Sequence, residues 1–150
     1  MRKILITVFA GCIGLVGAAT VAAAGVFSAT RAVIAIVADD LFVGTAKGHL
    51  NGAGTLAIRS QKNPALTCLG QFTSSSQLGG SGEMLCSDGT TATFNFQRLS
   101  VFSGHGTGSF GRSTMSFAYG FTHEEARPYL KLPEGKKLTH NGTVLALIDR

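Results

Sequence analysis

The chain contains no tryptophan, three cysteines and few charged residues, which make up 14% of its 150 residues. Disordered chains are rich in charge and poor in apolar residues, so this composition, with 45% apolar residues, excludes a largely disordered protein. The basic residues form no stripe with interleaved aromatic residues, and nucleic acid is therefore not an expected partner. The length suits a single domain, and the 20 glycines favour a turn-rich β protein.

Motifs of catalysis and cofactor binding are also missing. Residues 104–108 are glycine-rich but lack the lysine of a P-loop, and no G-x-S-x-G nucleophile elbow occurs. Asp88 has a structural role as the first residue of an Asp-Gly turn. None of the histidines has the spacing of metal ligands; they are His49, His105, His123 and His140. We therefore predict no catalytic, cofactor-binding or metal-binding residue, no cofactor and no nucleotide partner.

The N-terminus has the form of an export signal. Arg2 and Lys3 give a basic start, residues 4–30 carry no charge, and the alanines at 22–24 satisfy the A-x-A cleavage rule. Residues 4–24 are also long enough to span a bilayer as a helix. A cleaved signal peptide and a retained membrane anchor therefore both stay open. A retained anchor would keep the two basic residues in the cytoplasm and place the rest of the chain outside.

Cys12 gives a third interpretation of this segment. Residues 9–12 resemble a bacterial lipobox, whose cysteine would be acylated. The apolar run before Cys12 is short, however, and the residues after it are unlike a soluble mature start, so an ordinary apolar helix residue is the alternative. All three interpretations predict a bacterial cell-envelope protein, either periplasmic or anchored in the inner membrane and facing the periplasm.

Residues 52–120 contain three similar units, which recur about every 26–28 residues as a weak internal repeat. Each unit opens with a G-x-G step, continues as an alternating segment, turns, and returns as a second alternating segment. This pattern predicts one β-hairpin per unit. The openings lie at 52–54, 80–82 and 104–108, the turns at 61–64, 87–90 and 111–112, and the returns at 66–72, 91–99 and 114–119.

The alternation also predicts which side chains point inward. Phe94 and Phe96 alternate with Thr93 and Asn95, and a period of two places the pairs on opposite faces of a strand. One face is apolar and the other is rich in Thr, Ser, Asn and Gln, which is typical of an antiparallel sheet that is wet on one side. The predicted inward residues are Leu56, Ile58, Phe72, Phe94, Phe96, Met115, Phe117 and Tyr119.

Cys68 and Cys86 are predicted to form a disulfide. They are the only cysteines outside the leader, and an exported chain meets an oxidising compartment. Cys68 lies in the return of the first unit and Cys86 closes the opening of the second. Residues 73–80, interpreted as a polar loop, would let these segments pair as antiparallel neighbours within disulfide reach. Two buried free thiols are the alternative.

The predicted fold is mainly β: an antiparallel, glycine-rich hairpin meander that forms a bent sheet or small barrel after an N-terminal hydrophobic helix. A two-sheet sandwich is the alternative. We divide the chain into a signal peptide or membrane anchor at 1–24, a linker and first strand(s) at 25–50, and a β domain at 51–150. The β-branched residues 32–37 either form a buried first strand or extend the membrane helix.

The export signal, together with the lack of a catalytic motif, predicts a non-catalytic binding or assembly module of the cell envelope. Its expected partners are the membrane, through the N-terminal helix if this is retained, and an envelope protein. The alternative is a small periplasmic hydrolase or metal-dependent enzyme that uses histidines gathered across strands. A non-enzyme is the favoured class.

Overall fold

The computed structural model describes residues 28–75 and 77–150. The predicted N-terminal helix, the cleavage site and Cys12 lie outside the described residues. No helix in the described part of the chain is long and apolar enough to cross a membrane. The strands and helices are β1 Ser28–Val37, β2 Asp40–His49, β3 Ala53–Ser60, β4 Thr67–Ser75, β5 Gly79–Cys86, β6 Thr91–Arg98, β7 Gly104–Phe110, β8 Ser113–Tyr119, α1 His123–Ala126, a 3-10 turn at Arg127–Tyr129, β9 Lys136–Asn141 and β10 Val144–Asp149.

Strands β1 to β8 form a closed antiparallel barrel in sequence order. Each strand pairs with the next, and β8 pairs with β1, from Val33 opposite Tyr119 to Val37 opposite Met115. Strands β9 and β10 form a separate hairpin. The predicted mainly β fold is therefore confirmed, and the hairpin meander closes as a barrel rather than dividing into two sheets.

The three predicted hairpins correspond to β3–β4, β5–β6 and β7–β8. In the β5–β6 turn, Gly89 has a φ of +86° and the Thr90 amide donates to Asp88 Oδ1 at 2.9 Å. The interpretation of residues 73–80 as a loop was wrong in extent. Thr73 pairs with Ser81, and Ser75 with Gly79, so β4 and β5 extend almost to the tip of their connection.

The second half of strand β1, from Val33 to Val37, is buried on both faces. Val33, Ala35 and Val37 point into the barrel, whereas Ile34 and Ile36 contact the C-terminal segment that covers its outer wall. The sequence of a strand that is buried on both faces is a continuous apolar run without alternation. Of the two alternatives for residues 32–37, the structure shows the buried strand.

The barrel interior holds the predicted core. All eight residues predicted to point inward belong to one cluster inside the barrel, either buried or packed against it. Cys68 and Cys86 lie opposite each other on β4 and β5 and form the predicted disulfide. Both cysteines are buried within the same cluster.

A C-terminal cover packs on the outer wall at β1, β2 and β8. Thr122 and Glu125 form a capping box at the start of α1, so the short helix begins at a fixed position. Ser116 is buried on the outer face of β8, and its Oγ accepts a hydrogen bond of 2.8 Å from the Lys131 amide. Leu138 of β9 is only 1% exposed, and it anchors the β9–β10 hairpin against the barrel.

Candidate ligand-binding cavity

The barrel encloses an apolar cavity of about 590 Å³. Its walls include Leu56, Ile58, Met84 and Met115, and it extends to Ser28 at the start of β1. We call this end of the barrel the mouth; it is formed by the start of β1 and the β2–β3, β4–β5 and β6–β7 loops. The interior of an eight-stranded barrel is narrow: side chains can fill it, or it can hold one small ligand.

The cavity exists because aromatic rings alternate with glycines around the inner wall. Phe94 lies between Gly82 on β5 and Gly108 on β7 in the strand register. Phe96 likewise lies between Gly80 and Gly106. A side chain at Gly82 or Gly106 would overlap an aromatic ring. Alternating small and large residues in this way fits side chains into a narrow barrel without filling it completely.

The aromatic rings contact one another edge to face. Phe94 and Phe117 have ring centroids 5.4 Å apart at 83°, and Phe96 and Tyr119 have centroids 6.0 Å apart at 88°. This geometry is the favourable one for aromatic pairs. Beyond these rings, Val37, Phe42 and the disulfide belong to the core but do not line the cavity. The cavity is therefore closed at the end away from the mouth.

Two arginines contribute charge to the cavity wall near the mouth. Arg98 donates to the Val101 carbonyl at 3.2 Å, and the Arg31 guanidinium lies 4.2 Å from the centre of the Phe102 ring. No aspartate or glutamate is among the residues that line the cavity. In residues 28–75 and 77–150, the single ion pair joins Lys136 and Asp149, so neither arginine is neutralised by a carboxylate there.

Tyr119 lies beside Arg98 at the inner side of the mouth. Burial raises the pKa of the Tyr119 hydroxyl, because the phenolate would lose its hydration, and the Arg98 guanidinium opposes this rise. The hydroxyl is consequently neutral at physiological pH and can donate or accept a hydrogen bond at the cavity wall.

The four histidines occupy three different places. His49 lines the cavity at the mouth, where its Nδ1 is buried without a hydrogen-bond partner. His105 stacks on Tyr129 with ring centroids 4.2 Å apart, and the rings of His123 and His140 are 4.3 Å apart. Across the described part of the chain, no three His, Cys, Asp or Glu residues form a group that could hold a metal ion.

The polar groups of the cavity were not predicted from the sequence. Arg98 follows Phe94 and Phe96 with a period of two, and Arg31 precedes Val33 and Ala35 in the same way. Extending each apolar face by one more step would have placed both arginines inside the barrel. The Cys68–Cys86 disulfide belongs to the core and not to the cavity wall.

Fold and cavity together define the class of protein: an antiparallel up-and-down barrel that encloses an apolar cavity with two arginines in its wall near the mouth. Comparison with protein-family models, with curated proteins and with solved structures finds no match for this chain.

Proposed function

We propose that the protein is a non-catalytic binding module of the bacterial cell envelope, whose barrel holds an amphiphilic molecule with an apolar tail and an anionic head group. The cavity of about 590 Å³ is the observation that carries this proposal. Ligand sites are typically largely apolar and carry a few polar groups that fix the orientation of the ligand.

The position of the arginines supports an anionic head group. An acyl tail would lie along Ile58, Met84 and Phe94, while its head would lie nearer the mouth beside Arg31 and Arg98. Arginine matches carboxylate and phosphate groups geometrically and stays charged at any physiological pH. The buried, unpartnered Nδ1 of His49 offers a further polar contact at this end. A cationic head group would meet two guanidinium groups and no carboxylate.

Calorimetric titration with ligands of one chain length tests this proposal: decanoate, decyl phosphate, decanol and decylamine. We expect the anions to bind, decanol to bind more weakly, and decylamine to bind weakest. Replacing Arg31→Gln or Arg98→Gln should weaken anion binding roughly tenfold, because a hydrogen bond to a charged group is worth about 1.5–3 kcal/mol. Decanol binding should change little. The two anions together show whether the head-group site prefers carboxylate or phosphate.

Arg59→Gln is the matched control. Arg59 is exposed on the outer face of β3 and does not line the cavity, so its replacement should leave every affinity unchanged. Equal affinities for decanoate, decanol and decylamine would contradict the anionic head group but not the apolar cavity. No binding by any of the ligands would contradict the binding function itself.

The envelope location rests on the N-terminal sequence. Residues 1–24 carry the features of an export signal, and the Cys68–Cys86 disulfide is typical of oxidising compartments. Cell fractionation followed by an intact-mass measurement distinguishes cleavage after Ala24, a retained anchor and acylation at Cys12. A full-length chain in the cytoplasmic fraction would contradict export.

A further inference from the structure

We propose that the mouth loops dock on a lipid bilayer, so that the cavity faces the membrane. The observation behind this proposal is that large apolar side chains on the mouth loops are exposed to solvent; Leu50, Val101 and Phe102 also line the outer part of the cavity, whereas Leu78 and Leu99 do not. Their exposed fractions range from 50% for Phe102 to 82% for Leu50. Exposed apolar patches of this kind mark contact sites for proteins or membranes. The residues are Leu50, Leu78, Leu99, Val101 and Phe102.

The two ends of the barrel differ sharply. The turns at the closed end are at 38–39, 61–66, 87–90 and 111–112. They contain Asp39, Asp88 and Arg112, and none of their described side chains is both large, apolar and exposed. The mouth loops at 50–52, 77–78 and 99–103 contain no charged residue. Of the two sets of loops, only those at the mouth expose large apolar side chains; the other exposed large apolar residues lie on the barrel wall and on β10.

Two further features identify a membrane as the occupant of this surface. Arg31 and Arg98 lie just inside the apolar loops, and basic side chains at this depth favour contact with anionic lipid head groups. The uncharged segment at residues 4–30, predicted to be a signal or an anchor, joins the barrel at the start of β1, which is at the mouth. A retained anchor would hold the mouth, and not the closed end, close to the bilayer.

Single-tryptophan variants of the full chain test the orientation, because the natural sequence contains no tryptophan. Leu78→Trp and Leu99→Trp place the reporter on two mouth loops, outside the residues that line the cavity. Leu69→Trp is the matched control, since Leu69 is 67% exposed on the barrel wall. Each variant is mixed with vesicles of phosphatidylcholine and phosphatidylglycerol, with and without brominated acyl chains.

We expect the emission of Leu78→Trp and Leu99→Trp to shift to shorter wavelength and to lose intensity with the brominated lipids. The emission of Leu69→Trp should do neither. Weaker shifts on vesicles of phosphatidylcholine alone would support the contribution of the arginines. The proposal is overturned if both loop reporters stay unquenched on bound vesicles, if Leu69→Trp is quenched as strongly, or if the chain does not bind vesicles. None of these three results bears on ligand binding by the cavity, so the two proposals fail independently.

Discussion

At the scale of single residues, most glycines of the G-x-G steps lie opposite aromatic side chains on the neighbouring strands. Phe72, Phe94 and Phe96 each have a glycine as register partner on both neighbouring strands. At Gly54 and Gly82 an added Cβ would overlap the facing ring itself, and at the other partners it would overlap the backbone of a neighbouring strand, so close packing requires glycine at these positions. Crowding differs between glycines: a Cβ at Gly82 would overlap its neighbours, whereas a Cβ at Gly48 would not.

Gly82→Ala should therefore destabilise the barrel and Gly48→Ala should not. A Cβ at Gly82 would overlap the Gln71 carbonyl and the Phe94 ring, whereas a Cβ at Gly48 would approach only Phe72, at 3.9 Å. Overpacking costs about 1–3 kcal/mol, while an unstrained Gly-to-Ala change stabilises by about 0.4–1 kcal/mol. Urea unfolding of both variants measures the difference. Equal midpoints would mean that the rings can move aside without cost.

At the scale of elements, the three hairpins were predictable from the alternation, whereas the first strand was only one of two alternatives for residues 32–37. β6 alternates between a buried and an exposed face, so its period of two is visible in the sequence. The second half of β1 is buried on both faces, and burial on both faces removes the alternation. The prediction of a loop at residues 73–80 was wrong for another reason. Glycine and serine near the mouth give no apolar periodicity in the sequence, although Ser74 and Gly80 pair in the sheet.

The disulfide between neighbouring strands should contribute strongly to stability. Cys68 and Cys86 are separated by 18 residues in the sequence, and cross-linking a loop of this size stabilises by roughly 3 kcal/mol in the chain-entropy model. The double variant Cys68→Ala/Cys86→Ala should lose about this much free energy of unfolding in urea. Wild-type protein unfolded with a reductant is the control and should lose a similar amount. Labelling of both thiols in unreduced, denatured protein would show that the bridge does not form.

At the scale of the whole molecule, the barrel has one closed, polar end and one open, apolar end. The closed end is filled by Val37, Phe42 and the disulfide, while the cavity reaches the mouth. Binary patterning could predict the inward face of each strand, but it could not predict the empty space. That space depends on which large residues face glycines across three or more strands, and this is fixed by register.

Filling part of the cavity should weaken ligand binding without unfolding the barrel, and Ala46→Phe is the most direct change. Ala46 lines the cavity on β2, between Arg31 and Leu56 in the register, and it is only partly buried. A phenyl group there would occupy space that an acyl tail needs. The substitution removes none of the contacts that the Ala46 side chain makes. We expect decanoate affinity, measured by calorimetry, to fall at least about tenfold, with stability in urea changed by less than about 1.5 kcal/mol. Ala57→Phe makes the same substitution at an exposed position on the outer face of β3 and should bind decanoate normally. Unchanged decanoate binding in Ala46→Phe would show that the ligand lies outside the barrel.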